Sequence, residues 1–262
     1  MSRFTAYERN VFSQNGEDGV LQEIFRCLCV DRGTCVEVGA WDGLHLSNTA
    51  NLIRHHGWSG VLIEGAPQKF AALRRTYEGS PFSARMVEAM VGVGLDDGLD
   101  EVLSRLTDPV SRELDLLSID VDGNDYWIWQ AHAHHRAKVV VVEFNPTIPP
   151  DVEFIQSADL TVRQGASLRA LVRLGQSKGY GLVHVTTCNA IFVAAELFAG
   201  LEVGDNSIEA LWTDRSLLTS LFILYDGTVK IAGNRKLPWH GLEIDEERLQ
   251  VLPAHLRTFP GD

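Results

Sequence analysis

A chain of 262 residues that is 45% hydrophobic and 22% charged carries enough apolar side chain for one substantial core, so a single α/β domain with a small appendage is the expected organisation. The net charge of -12 opposes a phosphate backbone or an anionic membrane surface, so neither nucleic acid nor membrane is expected as a partner. No run of about 18 apolar residues occurs and the N-terminus lacks a signal-peptide core, which gives the expectation of a soluble, cytoplasmic protein.

Residues 13–30 place Val20, Leu21, Ile24, Phe25 and Leu28 at helical spacing behind a polar start of Ser13, Gln14, Glu17 and Asp18. That start reads as capping and first-turn carboxylates, the alternative being a segment that closes over a ligand pocket. Cysteines 27, 29, 35 and 188 form no CxxC pair, so reduced, mostly buried thiols are expected rather than a disulfide framework or zinc site. Residues 34–43, TCVEVGAWDG, read as a strand covered on both faces that runs into a glycine turn, with Ser47 placed to cap the helix over 47–56. The turn lacks the GxGxxG dinucleotide fingerprint; its spacing is ExGxxxG, from Glu37 through Gly39 to Gly43.

A second buried strand over 60–65 ends in Glu64, where an acidic side chain can accept hydrogen bonds from both hydroxyls of a ribose; a solvated strand-end carboxylate is the plainer reading. A helix over 67–77 with Phe70, Leu73 and Tyr77 on one side, a strand over 84–93, a glycine and aspartate loop to 98 and a short helix over 99–106 follow. The fourth strand breaks into Asp120, Asp122, Gly123, Asn124 and Asp125. Crowded carboxylates raise one another's pKa or recruit a hard cation such as magnesium or calcium. An EF-hand is excluded, because its sixth and twelfth positions counted from Asp120 are Asp125 and Ala131.

The β-branched run over 138–147 reads as a central strand ending in Glu143 and Asn145. If it neighbours the fourth strand, Asp120, Glu143 and Asn145 converge above the sheet as a metal-binding set. His132, His134 and His135 resemble a metal tract but fall at a helix end, where imidazoles suit the dipole and solvent, and no metal role is expected of them. Residues 146–165, with Pro146, Pro149 and Pro150, form an irregular excursion suited to bordering a substrate site.

A helix over 167–177 precedes paired strands around Cys188 and Asn189, with His184 expected as a core histidine rather than a base. Past residue 200 a hairpin turns at Asp226 and Gly227, and Trp239 with His240 can cover the sheet or a partner subunit. The expected division is a catalytic domain over 1–199 and an α+β appendage over 200–262. Trp212 and Trp239 are interface candidates for a homo-oligomer, or pack within their own chain.

ExGxxxG after a first strand resembles motif I of class I S-adenosylmethionine-dependent methyltransferases. Taken in order, SQNGED, VEVGAWDG, VLIEG, LLSIDVDGNDYWI and VVVVEFNP resemble the FkbM-like branch of that class, over roughly residues 11 to 195. The resemblance implies an α/β, doubly wound, mostly parallel seven-stranded sheet whose last strand is antiparallel. It also implies methyl transfer to oxygen, often a hydroxyl of a sugar or other small metabolite. Glu37, Gly39, Asp42, Gly43, Glu64 and Asp120 would then bind S-adenosylmethionine. Asp120 or Asp122 would act as general base, or Asp120, Glu143 and Asn145 would hold Mg2+ or another divalent cation. The sequence departs from the branch at residues 122–125, DGND, where an acidic residue followed by glycine and glutamate is usual. Two other readings stand: a metal-dependent nucleotide-sugar glycosyltransferase using Asp120 and Asp122 as a DxD, and a catalytically inactive S-adenosylmethionine-binding protein.

Overall fold

The computed structural model describes residues 2–259. Seven strands make the central sheet: β1 (Thr34–Val38), β2 (Ser59–Glu64), β3 (Ala84–Glu88), β4 (Glu113–Ile119), β5 (Arg136–Glu143), β6 (Tyr180–Val185) and β7 (Asn189–Ala194). Their spatial order is β3-β2-β1-β4-β5-β7-β6; the first five are parallel, and β7 enters antiparallel between β5 and β6. The order reverses between β1 and β4, which opens a crevice at the carboxyl ends of those two strands. A hairpin around Cys188 supplies β6 and β7, so the sheet needs no further crossover.

Helices α1 (Glu17–Cys27), α2 (Ala50–His55) and α3 (Pro67–Tyr77) precede β1, β2 and β3; α4 (Leu99–Ser104), α5 (Asp125–Ala131) and α6 (Leu168–Ser177) precede β4, β5 and β6. The period-two alternation of the strands divides the core between two faces. Val36, Val38, Val61, Ile63, Leu117 and Ile119 join Val102, Leu103, Trp129 and Leu171 of α4, α5 and α6. Cys35, Leu62, Leu116, Val139 and Val141 join Leu21, Ile24, Phe25, Ile53 and Leu73 of α1, α2 and α3. Strands buried on both sides have no polar face to expose, which accounts for the near-continuous apolar run of β5.

The expected strand over 84–93 ends at Glu88, and the expected helix over 47–56 begins only at Ala50, because Ser47, Asn48 and Thr49 give their polar groups to a buried carboxylate described below. The four cysteines are free thiols, but only Cys35 is buried; the expectation of mostly buried thiols is corrected. His184 is a core histidine, with Nε2 3.1 Å from a Glu8 carboxylate oxygen, and burial lowers its pKa to about 4. The segment after residue 200 adds α7 (Ile208–Leu211) and the hairpin β8 (Thr219–Ile223) and β9 (Val229–Gly233), pinned by Val229 and Ile231. Trp212 packs at home, edge-on to Phe144 at 5.2 Å, and is no interface residue; Trp239 is exposed. Among the described residues no helix is long and apolar enough to cross a membrane.

Candidate active site

The ends of β1, β2 and β4 are stitched together by backbone. Gly39 and Ala40 both donate to Ile63 O (2.9 and 3.0 Å), and Asp120 N donates to Val38 O (3.0 Å). Gly39 adopts φ +87°, and a Cβ there would stand 1.7 Å from the Asp120 carbonyl oxygen, so only glycine lets the turn after β1 lie against β4. A cleft of about 560 Å3 opens over this junction. Gly39, Glu64 and Asp120 line it, as the sequence led one to expect.

Glu64 Oε2 accepts from Trp41 N (2.9 Å) and Oε1 from Ala66 N (2.7 Å), which fixes the carboxylate at the end of β2 while each oxygen keeps a second lone-pair direction. Ile63, Ala66, Met90 and Val91 form an apolar wall beside it. Three residues the sequence did not single out complete this side: Trp41, His45 edge-on to it at 5.0 Å, and Lys69, whose Nζ lies 3.9 Å over the Trp41 ring. Trp41, Leu46 and Asp122, all at the cleft, account for three of the five non-glycine residues with positive φ among the described residues, and such strain clusters at functional sites.

Three expected cofactor residues have other work. Glu37 reaches the face of α2, where its carboxylate accepts from Ser47 Oγ (2.7 Å), Asn48 N (2.8 Å) and Thr49 Oγ1 (2.7 Å); it touches the cleft but acts by holding the turn after β1 to the start of α2. Burial raises its pKa, and those three donors oppose the rise. Replacing it by alanine leaves three buried donors without an acceptor. Glu37→Ala is expected to lose about 3 kcal/mol or more in urea denaturation, and Glu37→Gln distinctly less. Asp42 caps its own turn, its Oδ1 accepting from Leu44 N (2.9 Å) and His45 N (2.7 Å). Gly43 does not line the cleft: at φ +76° it admits the Tyr77 ring and Leu73, and Tyr77 Oη donates to its carbonyl (3.0 Å). Glycine is needed there for the contact with α3.

At the far side, Asp120, Asp122 and Glu143 each bring a carboxylate oxygen within 4.8 Å of the others. The adjacent register of β4 and β5 produces this convergence. Asn145 does not join it, in correction of the set expected from sequence: its Oδ1 accepts from Thr147 N and Oγ1 (3.0 and 2.7 Å), and its Nδ2 donates to Gln164 O (2.9 Å). Asp122, three residues past the end of β4 and in left-handed backbone, stands in its place. Asp125 closes the loop instead, accepting from Val121 N (2.8 Å) and Gly123 N (2.9 Å). Burial first, then the neighbouring carboxylates, raises the pKa of both Asp120 and Glu143 well above the ordinary range, so the pair retains a proton in neutral solution.

A second cavity of about 330 Å3 adjoins the cleft and shares Asp122, Gly123, Glu143, Arg163 and Trp239 with it. Arg163 comes from the 146–165 excursion, its Nη1 3.7 Å from Asp122 Oδ2, and Trp239 with His240 comes from the appendage. No periodicity marks these residues in the sequence. Of the polar start of α1, Gln14 borders the cleft. Ser13 and Asp18 close the turn before the helix, and Glu17 Oε1 accepts from Thr186 Oγ1 (2.6 Å) and Asn189 Nδ2 (3.0 Å).

No protein-family model matches the chain, and no curated protein matches it in sequence. Solved structures similar to it include the methyltransferase domain of the citrinin polyketide synthase (12% identity, TM-score 0.44, 71% of this chain and 55% of that one). An S-adenosylmethionine-dependent methyltransferase from Clostridium acetobutylicum is 6% identical (TM-score 0.41, 68% and 90%). An O-methyltransferase from neocarzinostatin biosynthesis, in complex with S-adenosyl-L-homocysteine and 1,4-dihydroxy-2-naphthoic acid, is 20% identical (TM-score 0.39, 62% and 49%). The chain spans about half the length of the first and third of these. The strand order 3-2-1-4-5-7-6 with an antiparallel final strand is that of the Rossmann-like methyltransferase fold.

Proposed function

We propose that this chain is an S-adenosylmethionine-dependent O-methyltransferase of the FkbM-like kind, acting on a hydroxyl of a sugar or other small metabolite. The observation that carries the reading is the meeting of two cavities at Asp122 and Glu143, with Asp120 beside them on the wall of the larger. The larger has the features a nucleoside needs: close backbone approach at Gly39, a fixed carboxylate with spare lone pairs at Glu64 for ribose hydroxyls, and an apolar wall at Ile63 and Val91 for a base. The smaller is the acceptor's place, between Trp239 and the carboxylates.

Bound there, S-adenosylmethionine supplies an electrophilic methyl group on a sulfonium. The chain's own task is to hold the acceptor oxygen in line and relieve it of its proton as the bond forms. Asp120 and Glu143, sharing one proton, leave one carboxylate able to accept another from the hydroxyl. Trp239 and the excursion cover the acceptor cavity and limit water. A divalent cation is the second form of the same reading: three carboxylate oxygens within 4.8 Å suit a hard ion, and Asp120, Asp122 and Glu143 would hold it and lower the hydroxyl pKa. Full turnover after exhaustive chelation would remove the cation from the account.

Calorimetric titration of S-adenosylmethionine into the protein, with and without magnesium, tests the reading. Micromolar binding is expected, weakened about tenfold or more in Glu64→Gln through loss of a charged acceptor. Binding of uridine diphosphate glucose with metal, and none of S-adenosylmethionine, would instead make Asp120 and Asp122 the diphosphate clamp of a glycosyltransferase.

A further inference from the structure

The short histidine tract looks from sequence like a solvated helix end, but the fold brings a distant carboxylate to it. Asp100 lies in the first turn of α4, His132 caps the C-terminus of α5, and His135 immediately precedes β5. His132 Nδ1 lies 2.8 Å and His135 Nδ1 3.3 Å from the same oxygen, Asp100 Oδ1. The three side chains each contribute a ligand-type atom within 4.8 Å of the others, and the two imidazoles are parallel to within 1° with centroids 5.6 Å apart. None of the three lines the cleft, and α5 separates them from Asp125 by its full length, about 10 Å along its axis.

His132 is 3% exposed, and its buried Nε2 has no hydrogen-bond partner. Its Nδ1 lies 2.8 Å from Asp100 Oδ1, so the two are placed to share a proton or one ion. Metal–nitrogen and metal–oxygen bonds near 2.1 Å put adjacent ligand atoms about 3.4 Å apart on a tetrahedral ion and about 3.0 Å apart on an octahedral one, close to the observed 3.3 and 2.8 Å. The carboxylate is oriented for the purpose: its Oδ2 accepts from Ala133 N (2.7 Å) and His134 N (3.1 Å), so it cannot swing away. Two imidazoles and a carboxylate are a borderline donor set, suited to zinc rather than to magnesium or calcium.

We infer that Asp100, His132 and His135 form a zinc site that ties the start of α4 to the end of α5, remote from the catalytic cleft. Exposed His134, with Nδ1 3.9 Å from Asp100 Oδ2, or a water completes the coordination. The ion replaces the protons that the two Nδ1 atoms would otherwise carry, so both histidines bind as neutral imidazoles.

The test is zinc content by mass spectrometry and calorimetric titration of zinc into chelator-stripped full-length protein. One zinc per chain is expected, retained in Asp120→Asn and weakened roughly 100-fold or more in His135→Ala and Asp100→Asn, since losing a ligand costs more than the 10–100-fold of losing a ligand's supporting partner. Substituted cobalt should show the visible absorption of a nitrogen-ligated ion in the wild type and lose it in His135→Ala. Either variant that does not fold is replaced in the comparison by His135→Gln. Wild-type protein that takes up no stoichiometric zinc overturns the inference, as does zinc that survives both ligand variants or disappears with Asp120→Asn.

Discussion

Asp120→Asn is expected to lower kcat/KM by about 10²- to 10⁴-fold while making the protein more stable in alkaline solution. The activity loss follows from removing one member of the carboxylate cluster at the junction of the two cavities, Asp120 on the larger side and Glu143 on both. The stability gain follows from linkage. Burial, with Asp125 and Asp122 nearby, lifts the Asp120 pKa to about 8, whereas in the unfolded chain it titrates near the ordinary value of about 3.9. Between those limits the native state binds more protons than the unfolded state, so stability is full below the lower limit and falls as pH rises toward 8. Asparagine carries no such penalty, so its stability relative to the wild type should rise as the pH is taken from 5 to 8. Urea denaturation at the two pH values checks this, with methyl transfer measured in parallel. A variant less stable at both would mean that the carboxylate is ionised and held by a cation, and magnesium should then stabilise the wild type most at high pH.

Gly39→Ala should be the most damaging conservative change in the cleft. Its Cβ would collide with the Asp120 carbonyl oxygen at 1.7 Å, and that oxygen belongs to backbone in the middle of the sheet, which cannot give way cheaply. The positive φ adds about 1–3 kcal/mol of strain, and the forced separation of β1 from β4 about as much again. A loss of roughly 3–5 kcal/mol in denaturant midpoint analysis is expected, with no measurable S-adenosylmethionine binding. Gly79→Ala is the matched control: its φ is also positive, but a Cβ there meets nothing within 4 Å, so only the strain remains. Equal losses at both positions would mean that backbone strain alone, and not the close approach of β1 to β4, makes Gly39 necessary.

The sequence determined the sheet and most of the carboxyl edge that lines the cleft. Buried strands announce themselves by continuous apolar runs, and an acid or glycine at the end of such a run must lie at the carboxyl edge; hence Gly39, Glu64, Asp120 and Glu143 were legible before any coordinates. What the sequence could not decide was how side chains of the same type divide their duties. Glu37 and Glu64 both sit on buried strands, yet one is consumed by Ser47, Asn48 and Thr49, while the other keeps lone pairs toward the cleft. Gly39 and Gly43 both take positive φ, yet one faces backbone and the other a tyrosine ring. Asp122 took the place expected of Asn145 because a turn captured the asparagine, while left-handed backbone brings the exposed Asp122 carboxylate to the rim of the cleft. Arg163, Trp239 and the meeting of Asp100 with His132 depend on segments 30 or more residues apart, joined by loops without periodicity. Patterning reports which face a residue occupies, because the strand and helix periods are local properties of the chain. Which hydrogen-bond partners and which distant loops reach that face is set only when the layers pack.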